Sequence, residues 1–167
     1  MNQAPSAAPS DANVAFMREA LALARANIVE GGRPFGAVLV RGGQVLARAT
    51  NGIHRSHDPT AHAELLAIRA AAAVLGTPRL EGVVVYASGH PCPMCLAAMH
   101  LCGIDQAWYA YSNEDGAAHG LSTAAVYADL ARAPAGQSRP RLLALQPAGE
   151  QGLYAEWAQA SARTGPG

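Results

Sequence analysis

Two short segments constrain this chain more than any other feature of its sequence. The first is His62-Ala63-Glu64 and the second is Pro91-Cys92-Pro93-Met94-Cys95. One imidazole and two thiols are donors that zinc prefers. A structural zinc site has four protein ligands, whereas a catalytic site has three and leaves one position for water. Because the chain has 3 cysteines and the third, Cys102, stands outside the C-x-x-C pair, the pattern favours an open, catalytic zinc site.

The predicted site combines a metal with a group that can move protons. Cys92 and Cys95 are spaced to lie on one helical face, and a helix N-terminus favours the thiolate form. A zinc ion held by these thiolates and His62 lowers the pKa of a bound water to about 7. Glu64 follows the histidine by two positions, so we expect it to be the catalytic acid and base.

The pattern of apolar runs predicts one layered α/β domain. Over residues 12–162 the predicted order is α-β-β-α-β-α-β-α-β-α. It starts with a helix from about Ala12 to Val29 and an antiparallel hairpin around a Gly-Gly turn. This alternation predicts a five-stranded mixed sheet with helices on both faces, the last strand being Arg141–Leu145. Residues 1–11 are expected to form a disordered lead and residues 163–167 a loose tail.

Composition narrows the range of partners. Lys plus Arg equals Asp plus Glu, at 12 each, and half of the residues are hydrophobic. A protein that holds nucleic acid by its phosphates usually carries a basic patch, so a nucleic-acid partner is not expected. Cysteines in a metal-type spacing indicate a reducing compartment, and we expect a cytoplasmic protein. No apolar run is long enough to span a bilayer, so no membrane partner is expected.

Several segments resemble the cytidine-deaminase-like superfamily of zinc-dependent deaminases and, within it, bacterial guanine deaminases. The resemblance covers most of the chain and implies a three-layer α/β/α fold, one zinc ion per subunit, a small heterocyclic base as substrate and a homodimer. The segments that carry it are Pro34–Val40, Asn51, Asp58–Glu64, Pro91–Leu96, and Asn113–Asp115 through Gly120.

The resemblance also implies a set of substrate contacts. Asn51 matches an asparagine that bonds the edge of the base, although Asn-Gly is also a strong turn signal. Phe35 matches an aromatic beside the pocket, and a core phenylalanine is the alternative. Asp115 matches an acid that reads an amino group of guanine, and a loop aspartate is the alternative. His90 stands where many relatives have Glu, so it either contacts substrate, acts behind the metal ligands or occupies a loop.

Hydrolysis of guanine to xanthine and ammonia is the function that these features favour most. Other substrates left open are cytosine, a pterin, a triazine and guanosine. A tRNA adenosine deaminase would have the same zinc site, but residues 153–162 contain no Lys or Arg. A catalytically silent zinc protein would need a fourth ligand, for which His90 is the candidate. Glu64 argues against that reading, because a structural site has no use for a proton carrier.

Overall fold

A four-stranded mixed sheet forms the centre of the structure, a computed structural model that describes residues 8–164. Its strands are β1 (Gly36–Arg41), β2 (Gln44–Thr50), β3 (Val83–Gly89) and β4 (Gln106–Tyr111). Their order in the sheet is β2-β1-β3-β4. β1 pairs antiparallel with both β2 and β3, whereas β3 and β4 are parallel. The two middle strands, β1 and β3, are therefore paired on both sides.

The hairpin of β1 and β2 is formed as the sequence predicts. Gly42 and Gly43 connect the strands with φ values of 56° and 80°. A two-residue turn that matches the twist of paired strands needs positive φ at both positions, and glycine adopts it without a steric penalty. The register brings Arg41 opposite Gln44 at the turn.

Seven α-helices lie in the described part of the chain, and none of them is long and apolar enough to cross a membrane. The sequence predicts five of the seven. It misses the two shortest, α2 and α5, because one turn of helix is too short to reveal an apolar period. The helices are α1 (Asp11–Val29), α2 (Ile53–Ser56), α3 (Ala63–Leu75), α4 (Pro93–Cys102), α5 (Asn113–Ala117), α6 (Ala124–Leu130) and α7 (Leu153–Thr164).

Helices cover both faces of the sheet, so the mixed α/β architecture is confirmed. On one face Ala37 and Leu39 of β1 pack in a cluster with buried side chains of α3 and α4. On the other face Val38 packs with Ala20 of α1. The close approach of α1 depends on Gly36, since a Cβ there would lie 2.5 Å from the carbonyl oxygen of Ala20.

The fifth predicted strand is wrong. Residues 141–145 have no regular secondary structure, and the described sheet has four strands. A strand is stabilised by pairing and by burial of at least one face. Here Leu142, Leu143 and Leu145 are 70%, 79% and 90% exposed. The apolar composition that suggested a strand is therefore not used for packing within this chain.

The chain divides into two compact units, the second of which begins at Asp129. Within the second unit, the Asp129 carboxylate accepts hydrogen bonds from the backbone N–H and the hydroxyl of Ser138, at 3.0 and 2.9 Å. These bonds lower the pKa of Asp129. A short 3₁₀ turn, Pro134–Gly136, and α7 complete the regular structure of this unit.

The two predicted end segments extend beyond the described residues. Residues 1–7 of the predicted lead lie outside them, and α1 begins at Asp11, where the Ser10 hydroxyl accepts a hydrogen bond from the Asn13 N–H. Residues 165–167 of the predicted tail also lie outside, and α7 continues to Thr164.

Candidate active site

The three predicted metal ligands lie at the starts of two helices. His62 is the N-cap of α3 and Cys92 is the N-cap of α4, with Cys95 in the first turn. Pro93 occupies the first helical position, where its missing N–H is not needed. Asp58 followed by Pro59 is a sequence signal that predicts a helix from about Thr60, with Asp58 as its cap, but α3 begins at Ala63, so this prediction is wrong. The Asp58 carboxylate instead accepts two 2.7 Å hydrogen bonds from the N–H and hydroxyl of Thr60, which form a local turn ahead of the helix.

The donor atoms of these residues are spaced for one zinc ion. Nδ1 of His62 lies 3.4 Å from Sγ of Cys92 and 3.6 Å from Sγ of Cys95, and the two sulfurs are 3.5 Å apart. Tetrahedral zinc with ordinary bond lengths requires about 3.6 Å between nitrogen and sulfur and about 3.7 Å between sulfurs. The residues present therefore fit the ion, and no fourth His, Cys, Asp or Glu joins them among residues 8–164.

The two thiols share a proton when the metal is absent. The hydrogen bond between them, together with the neighbouring His62, lowers the pKa of Cys92 to about 4. The same bond and burial raise the pKa of Cys95. Both sulfurs must be thiolates to bind zinc, so metal binding displaces the proton from Cys95.

Glu64 lies in the first turn of α3 and is buried, with 7% of its surface exposed. Burial raises the pKa of this carboxyl, because the charged form loses its hydration. The Glu64 carboxyl is hydrogen-bonded to the Cys95 thiol, which places it beside the donor cluster. A carboxyl with a raised pKa next to a metal is suited to both accept and donate protons.

Asn51 is buried at the end of β2, with 1% of its surface exposed. Its Oδ1 accepts a hydrogen bond from the Ile53 N–H at 3.2 Å, so the turn role considered for this residue is present. Asn27 of α1 donates from Nδ2 to the carbonyl of Asn51 at 3.0 Å. The Asn51 N–H donates to the carbonyl of Phe35 at 3.0 Å. These backbone bonds fix the position of the Asn51 side chain.

A cavity of about 280 Å³ lies in the first unit, and three predicted contact residues line it. They are Phe35, His90 and Asp115, whereas neither Asn51 nor any metal ligand is part of the wall. The cavity is therefore not the metal centre itself. His90 stands two residues before the ligand Cys92, and Phe35 packs against the core cluster that contains Cys95.

Asp115 has a structural role that the sequence did not predict. Its carboxylate accepts hydrogen bonds from the N–H and hydroxyl of Ser112, at 2.8 and 2.9 Å, and completes a capping box at α5. These bonds lower the pKa of Asp115, so it is an anion at neutral pH. The same side chain borders the cavity, so capping and substrate contact are both compatible with its position.

The structure adds three residues that sequence reasoning missed. Asn27, buried in α1, connects to the Asn51 segment. Asn113 contacts His90, and Tyr127 of α6 donates to the carbonyl of Pro91 at 2.6 Å. Asn27 and Tyr127 lie in predicted helices, where a lone asparagine or tyrosine carries no distinguishing pattern, and Asn113 stands in a segment of the family resemblance without an assigned role. Only the folded chain brings these side chains to the site.

Comparison with known proteins places this geometry in context. Residues 10–111 match the model of the family described as the cytidine and deoxycytidylate deaminase zinc-binding region. The chain is 40% identical over 116 residues to guanine deaminase of Bacillus subtilis, covering 69% of this chain and 74% of that protein. The crystal structure of guanine deaminase from Bacillus subtilis superposes with a TM-score of 0.80 at 33% identity, covering 87% of this chain and 93% of that one.

Two further relatives extend the comparison. Guanine deaminase from Nitrosomonas europaea has a TM-score of 0.63 and 30% identity, covering 73% of this chain and 70% of that one. The tRNA-specific adenosine deaminase of Aquifex aeolicus is 40% identical over 91 residues, which are 54% of this chain and 60% of that protein.

Proposed function

The chain belongs to the family of zinc-binding cytidine and deoxycytidylate deaminases, and on this premise we propose that it hydrolyses guanine to xanthine and ammonia. The arrangement that carries the proposal is the zinc-type donor set of one histidine and two cysteines with the buried carboxyl of Glu64 beside it. The similarity to guanine deaminase over most of the chain supports the choice of guanine.

His62, Cys92 and Cys95 would hold the zinc ion, whose chemistry is to make a water molecule nucleophilic at neutral pH and to leave a fourth position for it. Glu64 receives the proton of the attacking water. It passes this proton to the ring nitrogen, then takes the second proton of the same water, now a hydroxyl on the ring carbon, and delivers it to the amino group. The C–N bond breaks and ammonia leaves. Its raised pKa favours this exchange, because proton transfer is most efficient when the pKa of the catalytic group is close to the working pH.

We assign substrate contacts to the residues that border the site. Asn51 presents its Nδ2 group, for which no acceptor is found among the described residues. Phe35 offers a ring face for the flat base, since aromatic rings stack on planar heterocycles. His90 and the Asp115 carboxylate offer polar atoms at the wall of the cavity. A base with both a carbonyl and an amino group matches this combination of donors and acceptors.

Ammonia release from a panel of substrates tests the proposal. The zinc-loaded protein is assayed against guanine, cytosine, guanosine, a pterin and a triazine, with Glu64→Gln as the matched control. We expect turnover of guanine that falls at least about a hundredfold in the control, while the bound zinc is unchanged. Turnover of another base instead of guanine would overturn the substrate assignment. No turnover of any compound would refute the deaminase proposal.

A second candidate is supported by the similarity to tRNA-specific adenosine deaminase. The net charge of zero argues against it, because binding to tRNA phosphates requires concentrated basic residues. Inosine formation in a tRNA transcript, with binding that weakens steeply as salt rises, would favour this candidate over guanine deamination.

We also propose a homodimer in the cytoplasm. In the second unit the leucines of residues 142–145 and the side chains of Tyr154 and Trp157 are exposed by 70% or more. Such an apolar surface is typical of an interface with another chain. The thiol ligands require a reducing compartment. Light scattering that gives a monomer mass at micromolar concentration would contradict the dimer, and cell fractionation tests the location.

A further inference from the structure

Tyr127 connects α6 to the segment that carries the first thiol ligand. Its hydroxyl donates to the carbonyl oxygen of Pro91 at 2.6 Å. The next residue, Cys92, is both a predicted zinc ligand and the N-cap of α4. A hydrogen bond of this length to the preceding carbonyl restrains the peptide plane from which the Cys92 Cα and Sγ extend. The position of that sulfur therefore depends on a side chain outside the donor set.

A second attachment holds the same segment from α6. Oδ1 of Asn113 accepts hydrogen bonds from the N–H and the hydroxyl of Thr123, at 2.8 and 3.2 Å, just before α6 begins. This fixes the amide so that its Nδ2 faces Nδ1 of His90 at 3.2 Å. The His90 ring lies edge-on to Tyr127, with centroids 5.5 Å apart and planes at 85°. The start of α6 and its middle are thus both tied to residues 90 and 91.

The environment of the tyrosine keeps it a hydrogen-bond donor. Tyr127 is partly buried. Burial raises its pKa, and the charges of Cys92, Cys95 and Glu64 act in the same direction. The hydroxyl therefore stays protonated, and the Pro91 carbonyl can only accept.

We propose that Tyr127 is a positioning residue of the zinc site, which acts through the Pro91 carbonyl to hold Cys92 at the distance from His62 that zinc requires. The inference rests on zinc binding, and not on which base is the substrate. Groups that orient metal ligands from behind typically change metal affinity by 10–100-fold when removed, about the range expected here.

The chain provides a matched control for this proposal. Tyr109 also contacts the His90 ring, edge-on with centroids 4.8 Å apart, but no hydrogen bond of its hydroxyl is found among the described residues. Tyr127→Phe keeps the ring and removes the Tyr127 bond to the Pro91 carbonyl, whose other contact is Nδ1 of His90 at 2.9 Å. Tyr109→Phe removes a hydroxyl from the same aromatic group and leaves the Pro91 carbonyl bonded. The pair therefore separates loss of the hydrogen bond from loss of a tyrosine hydroxyl in general.

Two measurements that need no substrate test the proposal. Zinc affinity is measured by competition with a chromophoric chelator, and ligand geometry by the absorption spectrum of the cobalt-substituted protein. For Tyr127→Phe we expect about tenfold or greater loss of zinc affinity and a shifted thiolate-to-cobalt band. For Tyr109→Phe we expect less than about a twofold change in affinity and an unchanged spectrum.

The stability of the metal-free protein, measured in parallel, separates a purely structural role of Tyr127 from a role in positioning the zinc ligand. If Tyr127→Phe lowers only the stability of the metal-free protein, with zinc affinity and the cobalt spectrum equal to those of Tyr109→Phe, Tyr127 is merely structural and the proposal is wrong. Circular dichroism checks that both variants are folded. Neither result depends on deaminase activity, so failure of the guanine assignment would leave this test intact.

Discussion

Replacing Asn27 by leucine should destabilise the protein and weaken its substrate binding together. Asn27 is buried in α1, with 1% of its surface exposed. Its Nδ2 donates to the carbonyls of Arg33 at 2.7 Å and Asn51 at 3.0 Å, and its Oδ1 accepts from Arg55 at 3.1 Å. Leucine has a similar size but can make none of these bonds. The substitution therefore removes the link between α1 and the Asn51 segment without opening a large cavity.

The expected loss follows from counting the bonds. The two neutral hydrogen bonds contribute about 1 kcal/mol each. The bond to Arg55, whose side chain is 47% exposed, is discounted for solvent screening to about 1 kcal/mol. Leaving the Asn51 carbonyl buried without a partner adds about 1 kcal/mol, which the greater apolar burial of leucine offsets. The net decrease in the free energy of unfolding is about 3 kcal/mol, or roughly a hundredfold in the unfolding equilibrium.

Urea unfolding at a constant zinc concentration measures this loss, and substrate kinetics measure the effect on Asn51. The control is Asn13→Leu, which makes the same change on the same helix. Asn13 accepts one hydrogen bond, from the Tyr86 hydroxyl at 2.7 Å. We expect the control to lose about 1 kcal/mol and keep its KM. For Asn27→Leu we expect KM to rise, because a displaced Asn51 cannot contact the base.

Two results would refute the reasoning. A loss below about 1 kcal/mol for Asn27→Leu would mean that its hydrogen bonds contribute little to stability. A loss near 3 kcal/mol with an unchanged KM would mean that Asn51 does not contact the substrate, or that Asn27 does not hold it in place.

Three further predictions follow from the core and the metal site. Zinc added to the metal-free protein should release about one proton or more at pH 7, because the raised pKa of Cys95 keeps this thiol protonated. Calorimetry in two buffers of different ionisation enthalpy measures the number of protons released. No release would contradict the arrangement in which the two thiols share a proton. Leu39→Ala should lower the free energy of unfolding in urea by about 3–5 kcal/mol, against less than about 0.5 for Leu101→Ala, whose side chain is 82% exposed. Equal losses would show that β1 is not part of the core. Gly36→Ala should lower the free energy of unfolding by about 1–3 kcal/mol, because the added Cβ would lie 2.5 Å from the α1 backbone. Gly136→Ala, whose Cβ would lie 3.9 Å from its nearest neighbour, should be nearly neutral in the same assay.

Helix and strand positions that repeat a local pattern could be predicted, and those that depend on packing could not. The hairpin around the Gly-Gly turn is present as predicted, because apolar runs and turn residues are local signals. The predicted fifth strand is absent, because a short apolar run does not reveal whether a partner strand is present to pair with it. The predicted start of α3 is wrong because Asp58 bonds to Thr60 instead of capping the helix. The same side chain can make either local hydrogen bond, and the sequence does not decide between them.

The sequence by itself determined which groups form the centre: one imidazole and two thiols at a spacing typical of zinc ligands, and a carboxyl two residues after the histidine. The tertiary structure decided which side chains support that centre. Asn27 approaches Asn51, and Tyr127 approaches Pro91, from segments remote in the chain. Metal ligands are recognisable in a sequence because few residue types bind zinc. The residues that orient them can be any hydrogen-bonding type at any sequence distance, so only the packing of helices on the sheet identifies them.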